Sequence, residues 1–392
     1  MTPILKTLTG ATALASSAFF TTAVWAADEL KIGYLVAKSG PFVSLSKTNT
    51  IGAQIAVDEI NANGGINGKT LVLVEFDTAG NPGQAVVGLR QLSQDENVLA
   101  IVGPFSSSEA KVAFPQAERA GIVSMSMASS APKLAEPFSY GFRNTTNEGI
   151  MISRAVATLK AVDPDAKTSS IAYATDDAVS VAIGTKILPV VLGKAELPVQ
   201  NEVSFKYAAF DLSVQASQLM ETKADVVAVG APPEAAIKLA NEMRRQGHEG
   251  RLVAGSTVFD VTLPERMGEA GVGSVFPTAF YWDLNDETKA FAAEFKSRAE
   301  AQGIDRTVPA QFDSSTYGIV KMFAAAMEQA NVTGDAESLE AERTAIRDNL
   351  SALKNFPTIE GPISIGADGD ALKSTYVMEI TADGWKLLET HR

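Results

Sequence analysis

The sequence predicts an α/β protein of two doubly wound, parallel-sheet lobes joined by a hinge that the chain crosses three times. Three observations carry this expectation. Strand-length apolar runs alternate with helical stripes from Leu30 to Arg119, which is how a parallel sheet covered on both faces reads. The same rhythm restarts near Asn144 to Glu148. After Tyr281 the order changes, and three helix-like stretches follow one another with no strand between them.

Leu30 to Val36 is a buried strand, and Ile51, Ile55, Val57 and Ile60 stripe the helix after it, which stops at Asn63-Gly64-Gly65. Leu71 to Phe76 is the second strand, followed by a stripe of Val86, Val87, Leu89 and Leu92. A third strand opens at Leu99, with a helix from Glu109 to Arg119. In the second lobe, Ser170 to Ala174, Val226 to Val229 and Leu252 to Ala254 read as strands, with helices at Val179 to Leu192 and Glu234 to Gln246. Val275 to Tyr281 is one more strand. The helices Glu287 to Ala301, Ser315 to Ala330 and Leu339 to Leu353 need a sheet to cover, so they are expected to return to lobe one before the chain recrosses near Gly361-Pro362. Turns at Asp368-Gly369 and Asp383-Gly384 close a hairpin-like tail. The expected division is 27–145 and 278–358 for lobe one, and 146–277 and 359–392 for lobe two.

Residues 1–26 read as a removable signal peptide: a short basic start at Met1 to Lys6, an apolar, small-residue stretch from Leu8 to Val24, and Val24-Trp25-Ala26 at the cleavage point. Cleavage after Ala26 leaves 366 of the 392 residues, enough for two cores. The stretch is broken by Thr, Ser and Gly and is short for a membrane span. No cysteine occurs, which removes disulfides, thiol nucleophiles, thiolate metal sites and a lipid-anchored N-terminus together. A net charge of −13 argues against nucleic-acid and anionic-membrane partners. The expectation is a soluble, exported chain.

Two hydroxyl-rich loops stand where strands hand over to helices. The first is Gly103-Pro104-Phe105-Ser106-Ser107-Ser108, and the second Ser126-Met127-Ala128-Ser129-Ser130-Ala131-Pro132. Loops at the carboxyl ends of parallel strands gather at one rim, where free backbone N–H groups at helix starts favour anions. A small carboxylate held in the cleft between lobes is therefore the leading reading. Helix capping by Ser106 and a turn at Ser129 and Ser130 is the competing one.

The stretches Ser39-Gly40-Pro41, Gly52-Ala53-Gln54, the run from Asp58 to Gly68, Asp77 with Asn81-Pro82, and the two serine loops resemble the leucine/isoleucine/valine-binding protein family. These are type I periplasmic solute-binding proteins that deliver ligand to an ABC importer, and the resemblance spans essentially the whole chain after the leader. It implies an inner-membrane ABC permease as partner and an amino-acid or small organic-acid ligand. It also implies a carboxylate held by Ser107, with Ser106 beside it, the Ala128 backbone and Ser130. The family usually places an acid after a lobe-two strand to hold the ammonium group. Here Thr257 stands at that position, and Val179 stands where a tyrosine is common. Asp176 and Asp177 have two readings, as substitutes for the missing acid or as caps. With Thr257 a poor partner for a buried ammonium, an organic acid without an α-amino group is expected to bind at least as tightly as the matching amino acid.

Tyr281, within Phe280-Tyr281-Trp282-Asp283, reads either as a pocket wall or as hinge packing, and Phe42 and Val43 are further wall candidates, whereas Phe312 reads as core. Enzymatic readings find little support. His248 and His391 are the only histidines, and the sequence has no nucleophile elbow, no P-loop and no metal-spaced histidine pair. No cofactor or metal is expected. A ligand sensor serving a signalling partner is the alternative to a transport component.

Overall fold

The structure, a computed structural model, describes residues 29–40 and 42–392. The signal peptide expected over residues 1–26 lies outside the described residues. No helix among them is long and apolar enough to cross a membrane.

The first lobe opens with β1 (Glu29–Val36), a one-turn α1 (Val43–Ser46), α2 (Asn49–Ala62), β2 (Thr70–Asp77) and α3 (Pro82–Arg90). It continues with β3 (Ile101–Val102), α4 (Ser107–Ala120), β4 (Ser124–Ser126) and β5 (Gly141–Arg143). The five strands are parallel in the order β2-β1-β3-β4-β5. The alternating pleat of β1 explains its nearly continuous apolar sequence. Leu30, Ile32, Tyr34 and Val36 enter one core with Ile51 and Ile55 of α2, and Leu35 enters the other with Leu89, Ile101 and Ala113.

The second lobe contains α5 (Glu148–Val162), β6 (Ser169–Ala174), α6 (Ala178–Ala182), α7 (Leu188–Lys194), β7 (Val199–Phe205) and α8 (Ser213–Met220). It goes on through β8 (Val226–Gly230), α9 (Pro233–Arg245), β9 (Arg251–Ala254), α10 (Leu263–Met267) and β10 (Val275–Thr278). Strands β7-β6-β8-β9-β10 are parallel and repeat the order of the first sheet. Ala172, Val227 and Leu252 face one core, and Ile171, Ala228 and Val253 face the other.

Helices α11 (Asp286–Ala301), α12 (Gln311–Ala330) and α13 (Leu339–Ser351) do return to the first lobe: Phe295, Phe323 and Ile346 lie in the same core as Leu30 and Ile32. Short strands β11 (Ser364–Ile365) and β12 (Ala371–Leu372) follow, and β13 (Thr375–Thr381) and β14 (Gly384–His391) end the chain.

Four features differ from the sequence reading. β13 joins β10 antiparallel and carries β14 on its edge, so the second sheet is mixed. The strand expected to reach Tyr281 stops at Thr278, because Phe280 turns into the first core against Phe291. The helix expected over Val179 to Leu192 is two pieces joined by a widened turn at Ile183–Ile187, next to Pro189. The last crossing falls later than Gly361-Pro362: Ile363, Ile365 and Ala371 still pack in the first core, and Arg143 Nε donates to Asp370 Oδ1 at 2.6 Å. The cores therefore exchange chain at Asn144 to Glu148, around Thr278 to Phe280, and at Lys373-Ser374.

Candidate functional site

The first serine loop begins at Gly103, whose φ is +107° and where a Cβ would lie 2.5 Å from the Leu35 carbonyl oxygen, so only glycine lets β3 turn here. Ser106 then caps α4. Its hydroxyl donates to Glu109 Oε2 at 2.6 Å and accepts from the Glu109 N–H at 3.3 Å, while the Ser106 N–H donates to the same carboxylate at 2.9 Å. That hydroxyl is engaged in the cap, so Ser106 supports the loop without a free group to offer. Ser107, the first residue of α4, accepts from the Ala131 N–H at 3.3 Å and so ties the two serine loops together.

In the second loop, Ser126 Oγ accepts from the N–H groups of Ala128 at 3.4 Å and Ser129 at 3.1 Å. Arg143 braces the loop from beneath by donating to the Ser129 carbonyl at 3.1 Å and to the Ala131 carbonyl. Burial raises the carboxyl of its partner Asp370, and Arg143 opposes that rise. Ser130 is buried, and its hydroxyl is among the groups that favour the Glu148 anion.

Glu148 is the residue that the sequence reading does not find. It opens α5 directly after the first crossing and is 1% exposed. Ser256 Oγ donates to Glu148 Oε2 at 2.8 Å from the loop after β9, and the backbone of Ser256 and Thr257 also favours its anion. Burial outweighs these donors and raises the carboxyl above its ordinary value. Oε1 has no hydrogen-bond partner, and Glu148 makes no ion pair among the described residues. A Cβ on Gly255 would sit 1.8 Å from Oε1, so the carboxylate lies directly against the loop backbone.

Buried hydroxyls without partners occur at Ser129 in the second serine loop, at Thr145 and Thr146 in the crossing just before Glu148, and at Thr257 in the loop after β9. Gln311, at the start of α12, spans the gap, donating to the Ser256 carbonyl at 2.9 Å and accepting from the Ala279 N–H at 3.2 Å. An aromatic wall stands beside the first loop, where Phe105 meets Phe42 at 5.7 Å and Phe312 at 5.4 Å between ring centroids. Phe312 is partly buried and packs against the first lobe's core.

The remaining candidates separate. Asp177 caps α6, accepting from the Ser180 N–H at 2.8 Å and its hydroxyl at 2.6 Å. Asp176 is exposed and accepts from the Tyr207 N–H at 2.9 Å. Tyr281 packs edge-on against Trp282 at 5.2 Å, and Trp282 touches both lobes' cores. Val43 is exposed at the start of α1 and Val179 packs in the second lobe. His248 precedes β9 and so lies at the opposite end of the sheet from the rim, where burial and then Arg244 lower its pKa. His391 lies in β14 against Thr158. Among the described residues no group of acids and histidines has the makings of a metal site.

Two lobes of equal strand order, with polar loops facing one another across three chain crossings, define a two-lobed ligand-binding protein. The chain belongs to the periplasmic binding protein family, whose model matches residues 29–385. It is 28% identical over 384 residues to the Leu/Ile/Val-binding protein BraC3 of Rhizobium johnstonii, covering 95% of this chain and 96% of that one. It is 24% identical over 346 residues to the Leu/Ile/Val-binding protein of Citrobacter freundii, covering 88% of each. The fold matches the branched-chain amino acid transporter substrate-binding protein LivJ of Streptococcus pneumoniae, solved with isoleucine, with a TM-score of 0.78, 22% identity and coverage of 93% and 99%. It also matches a solute-binding protein of R. palustris solved with benzoate, with a TM-score of 0.76, 19% identity and coverage of 92% and 96%.

Proposed function

We propose that this chain is the periplasmic binding component of an ABC importer and captures a small carboxylate-bearing solute, nominally a branched-chain amino acid, between its lobes. The observation that supports it most is the set of buried, unpartnered hydroxyls at Ser129, Thr145, Thr146 and Thr257, in the second serine loop, the first crossing and the loop after β9. An unsatisfied buried polar group costs about 1–3 kcal/mol, and a polar ligand between the loops would remove that penalty. The carboxylate falls to Ser107, the Ala128 backbone and Ser130, with hydroxyl and N–H donors and water excluded on closure. Binding is the activity proposed, with no catalytic step, and both halves of the site come from one chain, which fits a monomer.

The wall of Phe42, Phe105 and Phe312 favours a second reading in which the apolar part of the ligand is aromatic. Mass spectrometry of ligand carried through purification, followed by calorimetry with the identified solute, tests both. Recovery of a carboxylate-free solute, or binding undisturbed by changes in either serine loop, would overturn the assignment.

A further inference from the structure

We infer that Gln311, mounted on the first lobe at the start of α12, is a positioning residue for ligand capture: it latches the loop after β9 in the second lobe and holds the cleft closed without touching the ligand. The inference rests on the proposed reading of the cleft as the ligand site and adds the residue that sets how long the cleft stays shut.

The latch is one amide used in two directions. Gln311 is 5% exposed. Its Oε1 accepts from the Ala279 N–H at 3.2 Å, in the second passage between lobes, and its Nε2 donates to the Ser256 carbonyl at 2.9 Å, in the second lobe. Each half of the amide meets a group of the right sense, as a buried amide must. Both partners are protein groups, so the bond forms whenever the lobes close, loaded or empty.

Each end of the bond is held by its own lobe. Asp313, on the same turn of α12 and fully buried, accepts from Thr48 Oγ1 at 2.8 Å, from Arg306 at 2.8 Å and from the Ala310 N–H at 2.7 Å. A Cβ on Gly52 of α2 would lie 2.2 Å from the Asp313 carbonyl oxygen, so this turn has no room to shift toward α2. On the other side, the Ser256 carbonyl also accepts from the Phe259 N–H at 3.2 Å, and Phe259 is buried in the second lobe's core, stacked on Trp385 at 4.7 Å between ring centroids. Two rigid mounts make the bond an all-or-none reporter of closure: parting the lobes breaks it, and little freedom is lost when it re-forms. Ser256 carries the hold onward. Its hydroxyl donates to Glu148 at 2.8 Å, and next to it in the loop is Thr257, one of the unpartnered buried hydroxyls on which the binding reading rests.

The chain has no cysteine, so Gln84→Cys and Val214→Cys give two clean sites for spin labels. Both positions are exposed, on helices α3 and α8 that follow the edge strands β2 and β7, away from the passages at β5 and β10, and their separation reports opening of the lobes. The ligand-free protein is expected to show a closed population, and Gln311→Met to cut it about threefold to tenfold, the value of one neutral hydrogen bond. With leucine, phenylalanine and benzoate as probes, stopped-flow measurements on Gln311→Met should show dissociation faster by about the same factor for each probe that binds, and association within about twofold of the wild type. A merely structural role would lower the melting temperature and leave dissociation unchanged. Circular dichroism checks the fold, and Gln311→Glu at pH 8, which keeps the acceptor for Ala279 and removes the donor to Ser256, serves as the second variant with the same expected outcome. Equal closed populations in wild type and variants, a ligand-free wild type with no closed population, or unchanged dissociation rates would each overturn the inference. A wild type that bound none of the three probes would overturn the carboxylate reading, while the label separations would still decide the latch.

Discussion

Lys373 and Glu360 form an ion pair of 3.0 Å in which both side chains are sealed from solvent, at 1% and 0% exposure. They stand where the chain makes its last passage between lobes, and Asn144, from the first passage, completes the cluster: Lys373 Nζ donates to its carbonyl at 2.8 Å, and its side-chain amide donates to Glu360 at 3.0 Å. Burial lowers the Lys373 pKa and Glu360 opposes that fall. Ser314 of α12 also donates to Glu360 at 3.0 Å, the Ser315 carbonyl accepts from Asn144 at 3.1 Å and Gln311 accepts from Ala279, so this one helix is bound to all three passages.

Removing one partner leaves a buried charge without its counter-ion. Lys373→Met is expected to lower unfolding free energy by about 3–5 kcal/mol. Adding Glu360→Gln to it should restore much of the loss, because the surviving charge is then gone. Urea denaturation of the two variants measures this, and equal stability of single and double variants would contradict it.

Ser107→Ala and Ser130→Ala are each expected to weaken ligand binding about ten- to a hundredfold, the value of one hydrogen bond to a charged group. Ser106→Ala should act on stability, by about 1 kcal/mol, because that hydroxyl caps α4. Calorimetry beside thermal unfolding separates the two behaviours.

Glu148 makes the ligand-free protein sensitive to pH. Its folded-state pKa is raised by burial, so the folded chain holds a proton that the unfolded chain has released. Stability of the free protein is then highest below the ordinary carboxyl value of about 4.3 and falls as pH rises from there through the raised folded value. Glu148→Gln should flatten this slope and raise stability at neutral pH. Chemical denaturation across a pH series, wild type against variant, is the measurement.

Gly255→Ala sets a methyl group 1.8 Å from Glu148 Oε1. The carboxylate or the loop must move, so ligand affinity should drop more than tenfold while the second lobe's sheet, anchored by β8 and β9, keeps its hydrogen-exchange protection. Unchanged affinity would mean that the loop can yield without disturbing the site.

Much of this was legible in the sequence because the strands of a doubly wound sheet are buried on both faces. β1, β2, β6, β8 and β9 announce themselves as apolar runs. β7 does not: Gln200, Asn201 and Glu202 give it a polar edge-strand sequence, and only pairing with β6 makes it a strand. β5 is three residues long and contains Arg143, whose burial depends on Asp370 far along the chain. The serine loops were visible as a rim, whereas dividing capping from binding among Ser106, Ser107 and Ser130 required the hydrogen bonds. Glu148 was hidden for a plain reason. A glutamate in the first turn of a helix is an ordinary start signal, and nothing local tells that a loop 108 residues later will close over it.

The separation between Arg143 and Asp370, 227 residues along the chain, governs the order in which this molecule can be made. The strand that ends the first sheet is synthesised early, but its buried guanidinium waits for a carboxylate near the C-terminus, and β13 and β14 reach the second sheet later still. Neither half can finish before nearly the whole polypeptide is available, and contacts of such long range form slowly. For a member of an exported family this delay is useful, since a chain that cannot close early stays threadable until it has left the compartment where it was made.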